Sequence, residues 1–492
     1  MTRRLRRAAL VLLAAIALPG ATLLANAWRL PSRQLPAANV AAPRIDLPAA
    51  AVRLADALKF RTVSAEGPAS HGEFRKLHDH LQRSFPRVHA SLERETIAGL
   101  SLLYTWRGSD PRLEPILLMA HQDVVPAEAS AWKGDPFAGE VRDGFIWGRG
   151  AWDNKSALLA QMEAVELLLA QGVRPARTIY LAYGHDEELQ GFAGAREIAR
   201  VLSSRGVRLH YALDEGLVVT DGVLPGLPRP AALVGVAEKG YATVVLRAPG
   251  TPGHSLMPPT GGRGAIPRLA SALRRLEEEQ MPGAIRGVTR EMFETLAPEM
   301  GGVQRVALSN LWLTGPLLQA QLARGAVTNA MVRTTTAATL LKAGVKENVL
   351  PASAEATLNF RIFPGDTRAD VERHVREVAG EGYEVALSPE GSEPSLVSPT
   401  GSAAWREVAG AVRAAFPDAL VAPGLVLGGT DARHYAALTA SIYRFSPVRV
   451  RPGDADRIHG ANERLGLENY GEMIRFFHAL LAQAGPAAAD PR

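Results

Sequence analysis

Apolar positions along the chain follow two alternating rhythms. From 50 to 60 and from 71 to 85 they recur at helical spacing, the second set marked by Phe74, Leu77, Leu81 and Phe85, as on one face of a helix. Ile116–Ala120 (ILLMA) and Thr178–Tyr183 (TIYLAY) are instead short unbroken apolar runs, the pattern of strands covered on both faces. Leu209–Leu213 predicts a third strand. Between these, Ser156–Gln171 predicts a helix closed by Gly172, and Ala193–Ser203 another. Strands alternating with helices imply a parallel sheet.

After about residue 238 the rhythm changes. Tyr241–Ala248 alternates like a half-exposed strand, Ile266–Glu278 is amphipathic, and 280–325 shows no regular pattern. Strands are predicted over Val327–Leu341 and Glu355–Phe363, a helix over Arg368–Ala379 and a strand over Tyr383–Leu387. The order β-α-β-β-α-β is that of a split ferredoxin-like unit. From 401 to about 484 the first style resumes. The expected fold is therefore α/β: a catalytic domain (49–237 and 393–485) with a mostly parallel sheet and helices on both faces, interrupted by an inserted ferredoxin-like α+β lid domain (238–392).

Residues 30–48, rich in Pro and Ala, read as a linker. Before them, Arg3, Arg4, Arg6 and Arg7 precede an apolar run, Ala8–Ala27, with small residues Ala25 and Ala27 spaced as at a signal cleavage site. Residues 1–29 are thus a signal peptide or an uncleaved membrane anchor; a cytoplasmic protein with an apolar first helix is the third reading. Either main reading keeps the basic end inside and exports the body, to the periplasm or the medium, with membrane attachment through residues 8–27 if the run is retained.

At 492 residues, 47% apolar and 21% charged, the chain has an ordinary globular composition and length for two domains. The four N-terminal arginines supply four of its five net positive charges, so the body is close to neutral and no nucleic-acid partner is expected. There is no cysteine, which excludes disulfides, thiolate ligands and a cysteine nucleophile. Any transition metal must rest on His, Asp and Glu.

Such residues cluster where the predicted strands end: His121 and Asp123 (HQD), Asp153 in GRGAWDNK, Asp186, Glu187 and Glu188 (HDEE), and Asp214 and Glu215 (LDEG). Ligands of open α/β sheets bind at the carboxyl ends of strands. That many carboxylates aimed at one crevice would repel one another and take up protons unless cations joined them.

GRGAWDNK, HQD, HDEE, LDEG and the late IHG at 458–460 stand in an order that resembles the di-zinc aminoacylase and carboxypeptidase metallopeptidase family, over about residues 50–480. The phrase WKGDPFAGEVRDGFIWGRGAWDNK and the long lid look most like carboxypeptidase S and the secreted N-fatty-acyl-amino-acid synthase/hydrolase. The resemblance implies two Zn2+ per chain, with Co2+ or Mn2+ able to use the same ligands. Asp153 would bridge them, His121 and Asp214 would complete one site, and Glu188 and His459 the other. At LDEG either Asp214 or Glu215 could reach the metal. The resemblance makes Glu187 the general base and Asp123 the residue that orients His121. It gives His254 (TPGHS) a transition-state role from the lid and Arg361 (NFRIFPGD) the substrate carboxylate. Asn329 and Gly428-Gly429-Thr430 are looser substrate candidates.

The function so implied is zinc-dependent hydrolysis of an amide beside a free carboxylate, in a small peptide or an N-acyl amino acid. A dipeptidase or desuccinylase-type deacylase of the same architecture is the alternative, and a non-catalytic binding protein the alternative of another class. Oligomeric state is left open, since the long lid could occupy the surface through which some relatives pair.

Overall fold

A computed structural model describes residues 20–224 and 226–485. The signal or anchor expected for residues 1–29 lies outside the described residues up to residue 19; residues 20–29 form helix α1. Among the described residues no helix is long and apolar enough to cross a membrane.

The first part of the chain builds helices α2 (Leu47–Leu58) and α3 (His71–Ser84) and strands β1 (Glu93–Ile97), β2 (Ser101–Trp106) and β3 (Ile116–His121). Helix α4 (Lys155–Ala170), strand β4 (Ile179–Gly184) and helix α5 (Ala195–Ser204) follow, then β5 (Tyr211–Thr220) and β6 (Ala231–Glu238). The lid starts with β7 (Gly240–Pro249) and α6 (Ala265–Glu278). It continues through α7 (Gly287–Leu296), α8 (Gly302–Ser309), α9 (Leu311–Leu322) and α10 (Ala326–Ala330). Strands β8 (Thr335–Ala343) and β9 (Ser353–Ile362), helix α11 (Arg368–Ala379) and strand β10 (Glu384–Ser392) complete it. Helix α12 (Ala403–Ala415), strands β11 (Leu420–Val426) and β12 (Ile442–Val450) and helix α13 (Leu467–Ala482) return to the catalytic domain.

The large sheet has the order β1-β2-β4-β3-β5-β12-β6-β11. Its centre is parallel (β4, β3, β5, β12), as the fully buried apolar runs require. Antiparallel pairings join β1 to β2, β2 to β4 and β12 to β6. One face packs against α2, α4, α12 and α13 and the other against α5. The lid sheet, β8-β9-β7-β10, is antiparallel throughout and buries one face under α6 and α11. A single residue, Lys239, separates β6 in one domain from β7 in the other.

Two expectations are corrected. Residues 280–325, which show no regular pattern in sequence, hold α7, α8 and α9; of these, α9 buries no residue fully and exposes Trp312, Leu313 and Leu317, so no core-facing stripe marks it. The strand expected over Val327–Leu341 begins only at Thr335, after the short helix α10. The linker 30–48 is packed: Gln34 exchanges hydrogen bonds with both the C=O and the N–H of Val421 (3.0 and 2.7 Å), and Ala38 N donates to Gly410 O. Gln34 thereby satisfies the ladder groups of one residue of the edge strand β11, which is buried along its length.

Candidate metal centre

His121 closes β3, where the strand's last residue is still buried. Its Nδ1 lies 2.9 Å from the Asp123 carbonyl and 3.3 Å from the Asp123 carboxylate, which fixes the ring and directs Nε2 into the crevice. That Nε2 is 2.9 Å from Asp153 Oδ1 and 3.6 Å from Glu215 Oε2. The other oxygen of Asp153 is 3.2 Å from His459 Nε2, which is in turn 3.3 Å from Glu188 Oε2. Asp153 therefore presents one oxygen to each imidazole, with a second acid beside each. His459 is held at φ 57°, a conformation uncommon for a non-glycine residue and found preferentially at functional sites.

Buried side chains hold this arrangement. Asp123 accepts N–H bonds from Glu187 and Glu188, one on each carboxylate oxygen (both 3.2 Å), which seats the two acids just past the end of β4. Glu463 accepts from the N–H groups of Gly150, Trp152 and Asp153 and pairs with Arg149 at 2.6 Å. Arg149 also donates to the carbonyls of His459 and Gly460. The loop bearing Asp153 and the loop bearing His459 are thus clamped together by one buried ion pair. Neither Arg149 nor Glu463 was singled out from sequence. An acid four residues after His459 and an arginine within the GRG turn are the signals that mark them.

At LDEG the two acids are placed differently. Asp214 Oδ1 accepts from Glu215 N (2.9 Å) and Oδ2 from Ala432 N (2.8 Å), so both its oxygens are engaged away from the imidazoles. Glu215 is the one that approaches His121 and accepts from the Asn154 side chain. The cause is a bulge: Asp214 pairs with Arg444 and Leu217 with Phe445, leaving Glu215 and Gly216 outside the ladder. Bulges re-aim side chains in this way. Gly216 lies against Arg444, whose Cβ would stand 2.6 Å from an added Cβ. Of the two acids, Glu215 is the one the structure gathers with His121, and Asp214 stands behind it.

Electrostatics describe a site crowded with negative charge. Burial alone would lower His121, yet the carboxylates of Glu215, Asp123 and Asp153 hold it well above its ordinary value. Hydrogen bonding to Asp153 and Glu188 lifts His459 to about 10. Burial, then the charge of Asp153, pushes Glu215 up to about 8, and burial, then Glu215, raises Glu187 well above a carboxylate's usual range. Asp153 stays low because the two imidazoles outweigh its burial. Crowded acids take up protons when no cation is present.

The donors fit divalent cations. His121, Asp153 and Glu188 offer atoms within 4.8 Å of one another, as do His121, Glu187 and Glu215. Glu188 Oε1 is buried without any hydrogen-bond partner, an acceptor that a metal would satisfy. Imidazole nitrogen with carboxylate oxygen suits zinc, manganese or cobalt.

The remaining candidates stand apart from the cluster. His254 is exposed in the lid on a two-residue strand, where its Nδ1 accepts from Leu256 N (3.1 Å). No hydrogen bond or ion pair joins it to the cluster. Arg361 is exposed on β9 with its guanidinium 5.1 Å from the Tyr241 ring centroid. Asn329 lies on α10 with its Oδ1 buried and unpartnered. The N–H and hydroxyl of Thr430 both donate to Glu238 (2.8 and 2.6 Å), so its polar groups brace the strand that enters the lid. At Gly429 an added Cβ would lie 3.2 Å from the Arg433 guanidinium.

Residues 117–483 match the model of peptidase family M20/M25/M40. The chain is 44% identical over 410 residues to N-fatty-acyl-amino acid synthase/hydrolase PM20D1.1 of Danio rerio, covering 82% of this chain and 79% of that protein. It is 40% identical over 439 residues to probable carboxypeptidase S-like 2 of Dictyostelium discoideum, covering 88% and 84%. Among solved structures, the M20 family metallo-carboxypeptidase Sso-CP2 of Sulfolobus solfataricus shares the fold. Its TM-score is 0.64 at 17% identity, over 90% of this chain and 99% of that one.

Proposed function

The chain belongs to peptidase family M20/M25/M40, and we propose that it hydrolyses an amide whose departing amine is an amino acid with a free carboxylate. The substrate is a peptide with such a C-terminal residue or an N-acyl amino acid, and two zinc ions occupy the His121–Asp153–His459 cluster. The observation that carries this reading is Asp153, whose two oxygens face two imidazoles, each flanked by a further carboxylate. The names of the similar proteins, an N-fatty-acyl-amino acid synthase/hydrolase and a carboxypeptidase S-like protein, share that carboxylate-bearing product.

A pair of divalent ions held there would supply Lewis acidity and lower the pKa of water. The chain's own residues do the rest. Glu187, positioned by Asp123 and raised by burial, takes a proton from the attacking water as its oxygen bonds to the carbonyl carbon. It returns that proton to the nitrogen as the C–N bond breaks. Arg361 offers two parallel N–H donors to the substrate carboxylate, and His254, brought in by lid movement, donates to the developing oxyanion. Export of the body, with the arginine-rich end retained inside, is supported by the basic start and the apolar run that follows.

The test is a matched pair: an N-acyl amino acid and the same compound with its carboxylate converted to a primary amide. Wild-type protein hydrolyses the acid and discriminates against the amide, and Glu187→Gln loses about 10²- to 10⁴-fold in kcat, the contribution of a general base. Equal rates on both compounds, or full activity in Glu187→Gln, contradict the reading.

A further inference from the structure

Helix α9 reverses the usual arrangement of a surface helix. Its outward residues are Trp312, Leu313, Pro316, Leu317, Ala320 and Gln321, all but the last apolar. Trp312 is 68% and Leu317 77% exposed. Two of its three polar residues, Thr314 and Gln319, point inward, donating to Ala307 O and Gly283 O, and the third, Gln321, accepts from Arg324 at the end of the helix. The helix contains no charge. Exposed apolar faces of this kind mark interaction sites.

The face continues onto α1. Asn310, at the start of α9, donates to Leu23 O and accepts from Asn26 Nδ2, and Arg305 of α8 donates to Ala27 O. Leu24 and Trp28 on α1 and Val303 on α8 are also largely exposed. Ala27 is buried in this packing, so a chain cut after Ala27 would lose it. The apolar run from Ala8 leads into α1 at this place.

Charge identifies the partner. The described segments that meet here, 20–45 and 300–346, contain no Asp or Glu, whereas each contains several Arg or Lys. Arg29 and Arg324 are exposed beside the face. The nearby acids are engaged: Glu291 of α7 accepts from Thr400, Glu294 of α7 pairs with Arg33 and Arg290, and Glu299, just past α7, accepts from Ser32. Apolar residues with an exposed tryptophan, flanked by the cations of Arg29 and Arg324, fit the interfacial zone of an anionic membrane. At 12 residues α9 is about 18 Å long, short of the roughly 30 Å hydrocarbon core, so it lies on a bilayer and does not span it.

We propose that α9, with α1 beside it, is a docking face for an anionic phospholipid bilayer, separate from the hydrolytic site. Docking sets the lid on the lipid surface, and the chain passes from α9 directly to α10, which bears Asn329. The absence of cysteine permits a single reporter. Full-length Leu317→Cys, carrying an environment-sensitive fluorophore, is mixed with vesicles of phosphatidylcholine and phosphatidylglycerol, with Leu113→Cys in the catalytic domain as the control. The expected result is a several-fold emission rise with a blue shift at position 317, quenched by spin-labelled lipid, and no change at 113. No response at 317 overturns the proposal, and so does an equal response on pure phosphatidylcholine. A blue shift that grows with protein concentration in the absence of vesicles assigns the face to a second copy of the chain and also overturns it.

Discussion

In strand β5 Asp214 sits in the ladder opposite Arg444, whereas Glu215 and Gly216 fall in the bulge that follows. The same two acids would alternate faces in a regular strand, and the bulge removes that rule for Glu215. The expected consequence is measurable by competing the protein against a chelator. Glu215→Gln weakens retention of one zinc equivalent by about 100-fold or more, and Asp214→Asn by about tenfold, the range for a residue that acts through its neighbours. A larger loss in Asp214→Asn would return Asp214 to the metal. The gathering of His121, Asp153, Glu187, Glu188 and His459 in one place was legible in sequence because each stands in a compact motif after a predicted strand or loop. The approach of Glu215 to His121 was not, because a bulge leaves little local trace beyond Gly216. Glu463 was hidden for another reason: its role is defined by three backbone N–H groups over 300 residues away in sequence.

Between β6 and β7, Lys239 is the only residue linking the two domains' strands, and its ammonium is buried. It donates to the carbonyls of Ala330 and Arg333 (3.1 and 2.9 Å) and faces the positive charge of Arg361. Burial, then Arg361, lowers it from an ordinary 10.5 to about 7. Between those values the unfolded chain holds a proton that the folded chain has released. Stability contributed by this residue therefore rises with pH across about 7 to 10.5, by at most about 1.4 kcal/mol per pH unit. Thermal unfolding midpoints of wild type and Lys239→Met should diverge over that window, the wild type gaining more. Parallel curves would show that the amine titrates normally. Other elements read cleanly from sequence when their signals are local. Helix α11 occupies the expected Arg368–Ala379, with a capping box between Thr367 and Asp370. Helices α8 and α9 did not, because an apolar face turned to solvent and the Gly315-Pro316 step give the wrong pattern for a buried helix.

Across the whole molecule, the site is assembled by topology. Parallel strands β3, β4 and β5 bring HQD, HDEE and LDEG to one side of the sheet, and the Arg149–Glu463 pair brings the Asp153 loop to His459. Alternating rhythms and the change of style near residue 238 made both domains and the ferredoxin-like lid legible. The placement of 30–46 against β11, and of α1 against the lid, rests on contacts such as Gln34–Val421 and Asn26–Asn310, which no local pattern announces. Crystals of the zinc-loaded chain measured on both sides of the zinc absorption edge give the most direct test of the metal cage. Two anomalous peaks are expected, one on each side of the Asp153 carboxylate, the first against His121 and Glu215 and the second against Glu188 and His459. A single peak, or peaks away from Asp153, would contradict the account.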